Sequence, residues 1–493
     1  MSKIRHQVNR WQILYGSFNG VSATAVSELQ KSLQSFMPYV IETVPAALLN
    51  KDRHLCIVGC LSDNPLLREL AEKGLLPEPK KAQGFSLATC ASPWNPERKL
   101  IAVAGFDAAG LLYGIQHLNA HLLPRYVSPL RGEDCRTALE KLPDLRIEES
   151  PLIENRGIWS WGYVVYDYRK FIDKMARLRM NMITLWHDEP PINSPEFIAY
   201  AHSRGISVIY GFAWGWGLDE LDLSSADDRR RIKEDVIARY RRDYAHLDLD
   251  GIYFQTLTEH NKETINGQST ASLACRLVNE TSAELLKINP SLYIQFGLHA
   301  SSIRENYKDL LPLHPQVTIA WEDAGGIPYT YSLEESPDGP SYAASKVAGV
   351  KSVSETAAYS KRLAAFRGHD TEFAFVPKGW CSIDWTNEFE NHGPYIMGEQ
   401  GRSSQIRNFE KRRAHWQRVN QSWFRLYPEA AGFYRELRAA HKGAITATGL
   451  VEDGLFELAI QPSVALFAET LWNPGLSNEE ILCRAMSPYY YQD

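Results

Sequence analysis

The chain has no run of about 18 apolar residues, the length a membrane-crossing helix needs, so its 493 residues point to no membrane partner. Cysteine is scarce: the seven at 56, 60, 90, 135, 275, 381 and 483 are scattered and odd in number. That argues against a disulfide framework, and the close pair in Cys56-Ile-Val-Gly-Cys60 fits alternation along a strand of a small sheet better than a metal clip. A strong charge of one sign is also missing. The formal net charge of −6 gives no reason to expect nucleic acid as a partner. Neither an HExxH pattern nor a spaced His/carboxylate set is present, so no metal and no cofactor are expected. The start, Met-Ser-Lys-Ile-Arg-His-Gln, lacks an apolar secretory core, which makes a cytoplasmic location the expectation.

Aromatic residues are plentiful: 11% of the chain, with 13 Trp and 24 Tyr. Sugar rings stack flat C–H faces on such side chains, so the enrichment suits a carbohydrate partner, while a large barrel core accounts for any single Trp equally well. The length suits a small domain followed by a barrel-sized one. Residues 1–123 alternate short strands (Trp11 to Tyr15, His54 to Val58, Phe85 to Cys90, Leu100 to Ala104) with helices, which predicts a small α/β domain. The turn Gly105-Phe-Asp-Ala-Ala-Gly110 lacks both the P-loop ending and the GxGxxG spacing, so it is no nucleotide cradle. Residues 124–152, with Pro124, Pro129 and Pro143, read as a linker. From 153 to 493 strand-like and helix-like segments alternate, with strands expected at 155–161, 181–187, 206–213, 251–257, 292–298, 317–321, 372–376 and 457–467. Eight such strands predict an α/β fold, a (β/α)8 TIM barrel, with extra helices around 404–445.

Two of these strands end in carboxylates. Asp250-Gly-Ile-Tyr-Phe-Gln-Thr-Leu-Thr runs into Glu259, His260 and Asn261, and Val317-Thr-Ile-Ala-Trp runs into Glu322 and Asp323. Carboxylates at the C-terminal ends of barrel strands suit acid/base work on a glycosidic bond. Glu259 fits the general acid, because partial burial past an apolar strand raises a carboxyl pKa. Asp323 is the favoured base or nucleophile, with Glu322 nearly level, and adjacent side chains at a strand end diverge, so one of the two supports the rim. Candidate sugar contacts are His187 and Asp188 closing strand two, His260, Asn261, and His299 after strand five. Arg156 and Lys378 are candidate partners for a substrate carboxylate, and Trp214, Trp216, Trp321, Trp380 and Trp472 are candidate stacking platforms.

Several stretches resemble a known group of enzymes. Gly105-Phe-Asp-Ala-Ala-Gly-Leu-Leu-Tyr-Gly-Ile-Gln-His-Leu is similar to the last strand and helix of the small domain that precedes the barrel in family 20, 84, 67 and 115 glycoside hydrolases. Asn155-Arg-Gly-Ile-Trp resembles their first barrel strand, and Met180-Asn-Met-Ile-Thr-Leu-Trp-His the second strand of family 20. Ala199-Tyr-Ala-His-Ser-Arg-Gly-Ile-Ser-Val-Ile is similar to their passage into strand three, and Leu466-Phe-Ala-Glu-Thr-Leu-Trp-Asn-Pro to an eighth-strand ending. The likeness implies a glycoside hydrolase, and long βα loops at 214–225 and 324–350 would close a pocket that favours removal of a terminal sugar from short oligosaccharides. Resemblance to the α-glucuronidases tilts this toward inversion and an acidic sugar. Family 20 uses an Asp-Glu pair after strand four, and here Thr258 stands in place of the Asp, which argues against acetamide-assisted hydrolysis. The adjacent Glu322-Asp323 pair on another strand nevertheless keeps an N-acetylhexosaminidase-like, substrate-assisted glycosidase as an alternative. A non-catalytic carbohydrate-binding barrel is the alternative from another class. The expected partner is a carbohydrate substrate, and self-association into a homo-oligomer is left open.

Overall fold

The structure, a computed structural model, describes residues 10–127, 134–187, 189–215, 218, 221–256, 258, 261–323, 353–380, 394–398, 402–451 and 460–490. Its first sheet contains β1 (Trp11–Tyr15), β2 (Glu42–Pro45), β3 (His54–Cys60), β4 (Phe85–Ser92), β5 (Asn95–Gly105) and β6 (Leu145–Glu149), in the order β2-β1-β3-β5-β4-β6. β4 is antiparallel to β5 and β6, and the remaining pairs are parallel. β3 is buried throughout because both its faces are covered. Cys56 and Val58 pack with helices Gly20–Gln34 and Ala108–His117, and Leu55 and Ile57 pack with helix Pro65–Glu72. Cys56 and Cys60 are free thiols on this strand. β6 lies inside the stretch expected to be a linker. Its Leu145 and Ile147 alternate with charged residues, so it completes the sheet edge with one apolar face.

The expected barrel forms. β7 (Asn155–Trp161), β8 (Met182–Trp186), β9 (Ser207–Gly211), β10 (Gly251–Gln255), β11 (Tyr293–Leu298), β12 (Val317–Trp321), β13 (Phe373–Phe375) and β14 (Ile445–Leu450) close into a parallel ring in chain order. The eighth strand corrects the sequence reading: it is Ile445–Leu450, and the segment read as a strand carries helix Gln461–Trp472. That helix is buried on every side from Ser463 to Trp472, so it reads as a continuous apolar run. The true strand carries Thr446, Thr448 and Gly449 and lacks that signal. The likeness of residues 466–474 to an eighth-strand ending falls with it. The extra helical segment before β14 is one helix, Arg402–Ala440, whose later turns pack on the barrel through Trp423, Tyr427, Ala431 and Tyr434.

The small sheet meets the barrel at the N-terminal ends of β7 and β8. There Arg179 is ion-paired with Glu469 and lies 4.0 Å from Glu149, while Arg484 holds Glu149 at 2.9 Å. Trp472 donates its indole N–H to Glu149 at 2.9 Å, and the Arg179 guanidinium covers its ring. His117 and His121 close this cluster from the small domain. Burial pulls both imidazole pKa values down. Burial also pushes the Glu469 carboxyl up, but the Arg179 charge and the bond from His121 outweigh it and leave it well below the carboxylate range.

Candidate functional site

Alternate residues of each barrel strand face the lumen. At the C-terminal mouth the inward set divides into two halves. One half is aromatic and apolar. Trp159 and Trp161 of β7 meet edge to face at 5.0 Å, and Trp186 of β8 lies 6.3 Å and 5.9 Å from them. Val376 and Leu450 extend this wall.

The other half is polar and centres on Glu322, just past β12. Its carboxylate is 4% exposed. Oε1 accepts hydrogen bonds from the Tyr253 hydroxyl and the Gln255 amide. Oε2 lies 3.1 Å from His299 Nε2 and 3.3 Å from Lys378 Nζ. Burial pushes the Glu322 pKa up. The charges of His299 and Lys378, with the hydrogen bonds from His299 and Tyr253, outweigh that and hold the group ionised. These four donors match the lone-pair capacity of a carboxylate. Gly297 makes the arrangement possible, since a Cβ there would lie 2.6 Å from Glu322 Oε1 and closer still to the Tyr253 oxygen. Asp323 turns the other way, fully buried at the rim, where Oδ2 accepts the Ala300 N–H at 2.6 Å and Oδ1 lies 3.4 Å from His299 Nδ1.

Of the residues expected to form the site, Glu322, His299 and Lys378 are brought together at the mouth, with Asp323 behind them. Glu259, His260, Asp188 and Trp216 lie outside the described residues. Asn261, held at φ 56° in a conformation that Asn tolerates, turns away and accepts a bond from Arg304 at 3.1 Å. His187 points outward from the lumen between Tyr210 and Tyr244, fully buried, and burial lowers its pKa to about 3.

Trp214, Trp321 and Trp380 are 0% exposed and pack behind the strands. Trp214 stacks on Phe254 at 3.5 Å and Trp380 on Trp423 at 4.7 Å, while Trp321 donates to Ser360 at 3.1 Å. Arg156 and Trp472 sit at the opposite end of the barrel. The Arg156 guanidinium is spent on the carbonyls of Ile153, Glu154 and Arg179 and on the Gln83 side chain. The mouth residues that sequence reasoning missed are Trp159, Trp161, Trp186, Tyr253 and Gln255. Counting back by twos from each strand end would have found them.

Among the described residues no group of three or more His, Cys, Asp or Glu side chains is placed to hold a metal ion, and no helix is long and apolar enough to cross a membrane. The sequence matches no known family profile and no curated protein. The class of architecture is nevertheless plain, a (β/α)8 barrel preceded by a small α/β domain, and solved structures share it. A family 84 glycoside hydrolase aligns with a TM-score of 0.53 at 12% identity, over 97% of this chain and 72% of that one. A family 138 enzyme that targets the pectin rhamnogalacturonan II aligns with a TM-score of 0.53 at 12% identity, over 96% and 65%. A β-hexosaminidase from Streptomyces plicatus aligns with a TM-score of 0.52 at 13% identity, over 97% and 90%. At such identities the likeness is one of fold.

Proposed function

We propose that the chain is a glycoside hydrolase that removes a terminal sugar from short oligosaccharides. The observation that carries this reading is the ionised Glu322 carboxylate on the polar side of a barrel mouth, facing a wall of tryptophans. A sugar ring stacks one face on Trp161 and Trp186 and offers its hydroxyls to Gln255 and Lys378. Positive charge developing at the anomeric carbon is then stabilised by Glu322. Glu259, which follows β10 in the sequence past Thr258, is the general acid. Asp323 is too deeply buried to act as the base, so its part is played through its neighbours.

Four donors already occupy Glu322, which disfavours a covalent bond to the sugar and favours water as the nucleophile, with inversion. The water's proton passes to Glu322, which releases one of its donors, while Glu259 protonates the leaving oxygen. A neutral sugar is better supported than an acidic one. Arg156 lies at the other end of the barrel, and Lys378 is charge-balanced by Glu322.

The test is a panel of aryl glycosides (neutral hexosides, N-acetylhexosaminides, glucuronides and sialosides) against the wild type, Glu259→Gln and Glu322→Gln. Release from one sugar, abolished in both variants, supports the reading. Sugar binding without turnover in the wild type would favour a carbohydrate-binding barrel instead.

A further inference from the structure

His299 stands between two carboxylates, Glu322 Oε2 at 3.1 Å from Nε2 and Asp323 Oδ1 at 3.4 Å from Nδ1. A ring nitrogen bonds to a carboxylate oxygen only as N–H, and a neutral imidazole has a single N–H. The Asp323 contact is an ion-pair distance, and two carboxylates flanking the ring favour its doubly protonated, cationic form through their charge. The Gln255 amide lies 3.3 Å from His299 Nε2, a bond that only an unprotonated nitrogen accepts. On a doubly protonated ring that amide must therefore turn wholly to Glu322, where Tyr253 and Lys378 complete the ring of donors. Asp323 is anchored by the Ala300 N–H at 2.6 Å and has no exposed surface, so its charge is held against Nδ1.

We propose that Asp323 is a positioning residue: through a doubly protonated His299 it fixes the plane of the Glu322 carboxylate at the barrel mouth and keeps that group ionised. The kinetic consequence rests on the glycosidase reading. The protonation state of His299 does not, and it is tested without substrate. Without the Asp323 charge, His299 gives up its Nδ1 proton more readily as pH rises, and Glu322 loses one of its two flanking cations.

The first experiment follows ring 15N shifts against pH in the full chain labelled at histidine, with His299→Gln to assign the signal. The expected result is a His299 ring with both nitrogens protonated at pH 8, which becomes neutral at lower pH in Asp323→Asn. A neutral His299 in the wild type at pH 8 overturns the proposal whether or not the variant folds. On whichever aryl glycoside is cleaved, Asp323→Asn lowers kcat by roughly 10- to 100-fold with KM nearly unchanged, and the alkaline limb of kcat moves to lower pH. A lower kcat with an unmoved pH profile means that Asp323 merely supports the rim, which also defeats the proposal. If no glycoside is cleaved, the hydrolase reading fails while the 15N titration still decides this one.

Discussion

Replacing Glu322 by Gln separates two quantities that the site binds together. The carboxylate is 4% exposed and faces Lys378 at 3.3 Å and His299 at 3.1 Å. An amide there keeps an acceptor for Tyr253 and Gln255 but turns its NH2 toward the two cationic donors. Leaving a buried charge without its partner costs about 3–5 kcal/mol, so the denaturant midpoint falls clearly. Turnover falls by about 10²–10³-fold if Glu322 stabilises the transition-state charge. The double variant Glu322→Gln/Lys378→Met removes the stranded cation, so most of the stability returns while turnover does not. The folded pKa of Glu322 is lowered, so its contribution to stability is present above the unfolded value of 4.5 and is lost as pH falls toward the folded one. The acid flank of the stability profile is accordingly flatter in both variants. Two results would refute this reasoning: a single variant that keeps turnover within about fivefold of wild type, or a double variant no more stable than the single.

Two tryptophans of β7 and β12 are expected to behave in opposite ways. Trp161→Ala raises KM by about threefold to tenfold, the ~0.5–1.5 kcal/mol of a stacked ring, with stability nearly unchanged. Trp321→Ala costs about 3–5 kcal/mol of stability, and equal effects from the two in unfolding and kinetics would contradict their assigned faces. His187→Phe removes two ring nitrogens that have no hydrogen-bond partner among the described residues and stabilises the fold by about 1 kcal/mol or more. Because burial holds His187 near 3 against 6.5 unfolded, its contribution is lost as pH drops below 6.5, so the variant unfolds at lower pH. Loss of turnover in a stable His187→Phe protein would return that residue to the substrate. Glu469→Gln breaks the pairing with Arg179 on the barrel side of the domain junction and destabilises by about 3–5 kcal/mol, while kcat measured well below the melting temperature stays the same.

The fold was legible because buried parallel strands are short apolar runs separated by amphipathic helices, and seven of the eight barrel strands carry that signal where it was read. The eighth failed for a local reason. A helix buried on all sides shows no amphipathic period, so Gln461–Trp472 outweighed the threonine-rich strand before it. The carboxylate at the end of β12 was legible for the same reason as the strands, since an abrupt change from apolar to acidic marks a strand end.

What stayed hidden was facing, which a composition argument cannot supply because adjacent strand residues point to opposite sides. Trp321 neighbours Glu322 in sequence yet lies in the outer layer against Ser360, while Ala320 shares the lumen with Glu322. Once Glu322 is taken to face the lumen, alternation alone sends Trp321 outward. The same count on β10 puts Tyr253 and Gln255 inward beside it and Phe254 outward under Trp214. Register thus decides which tryptophans face the lumen. Two of those at the mouth, Trp159 and Trp161, sit two residues apart on β7, and that spacing, rather than the number of tryptophans, is the part of the sequence that puts both rings on the lumen side.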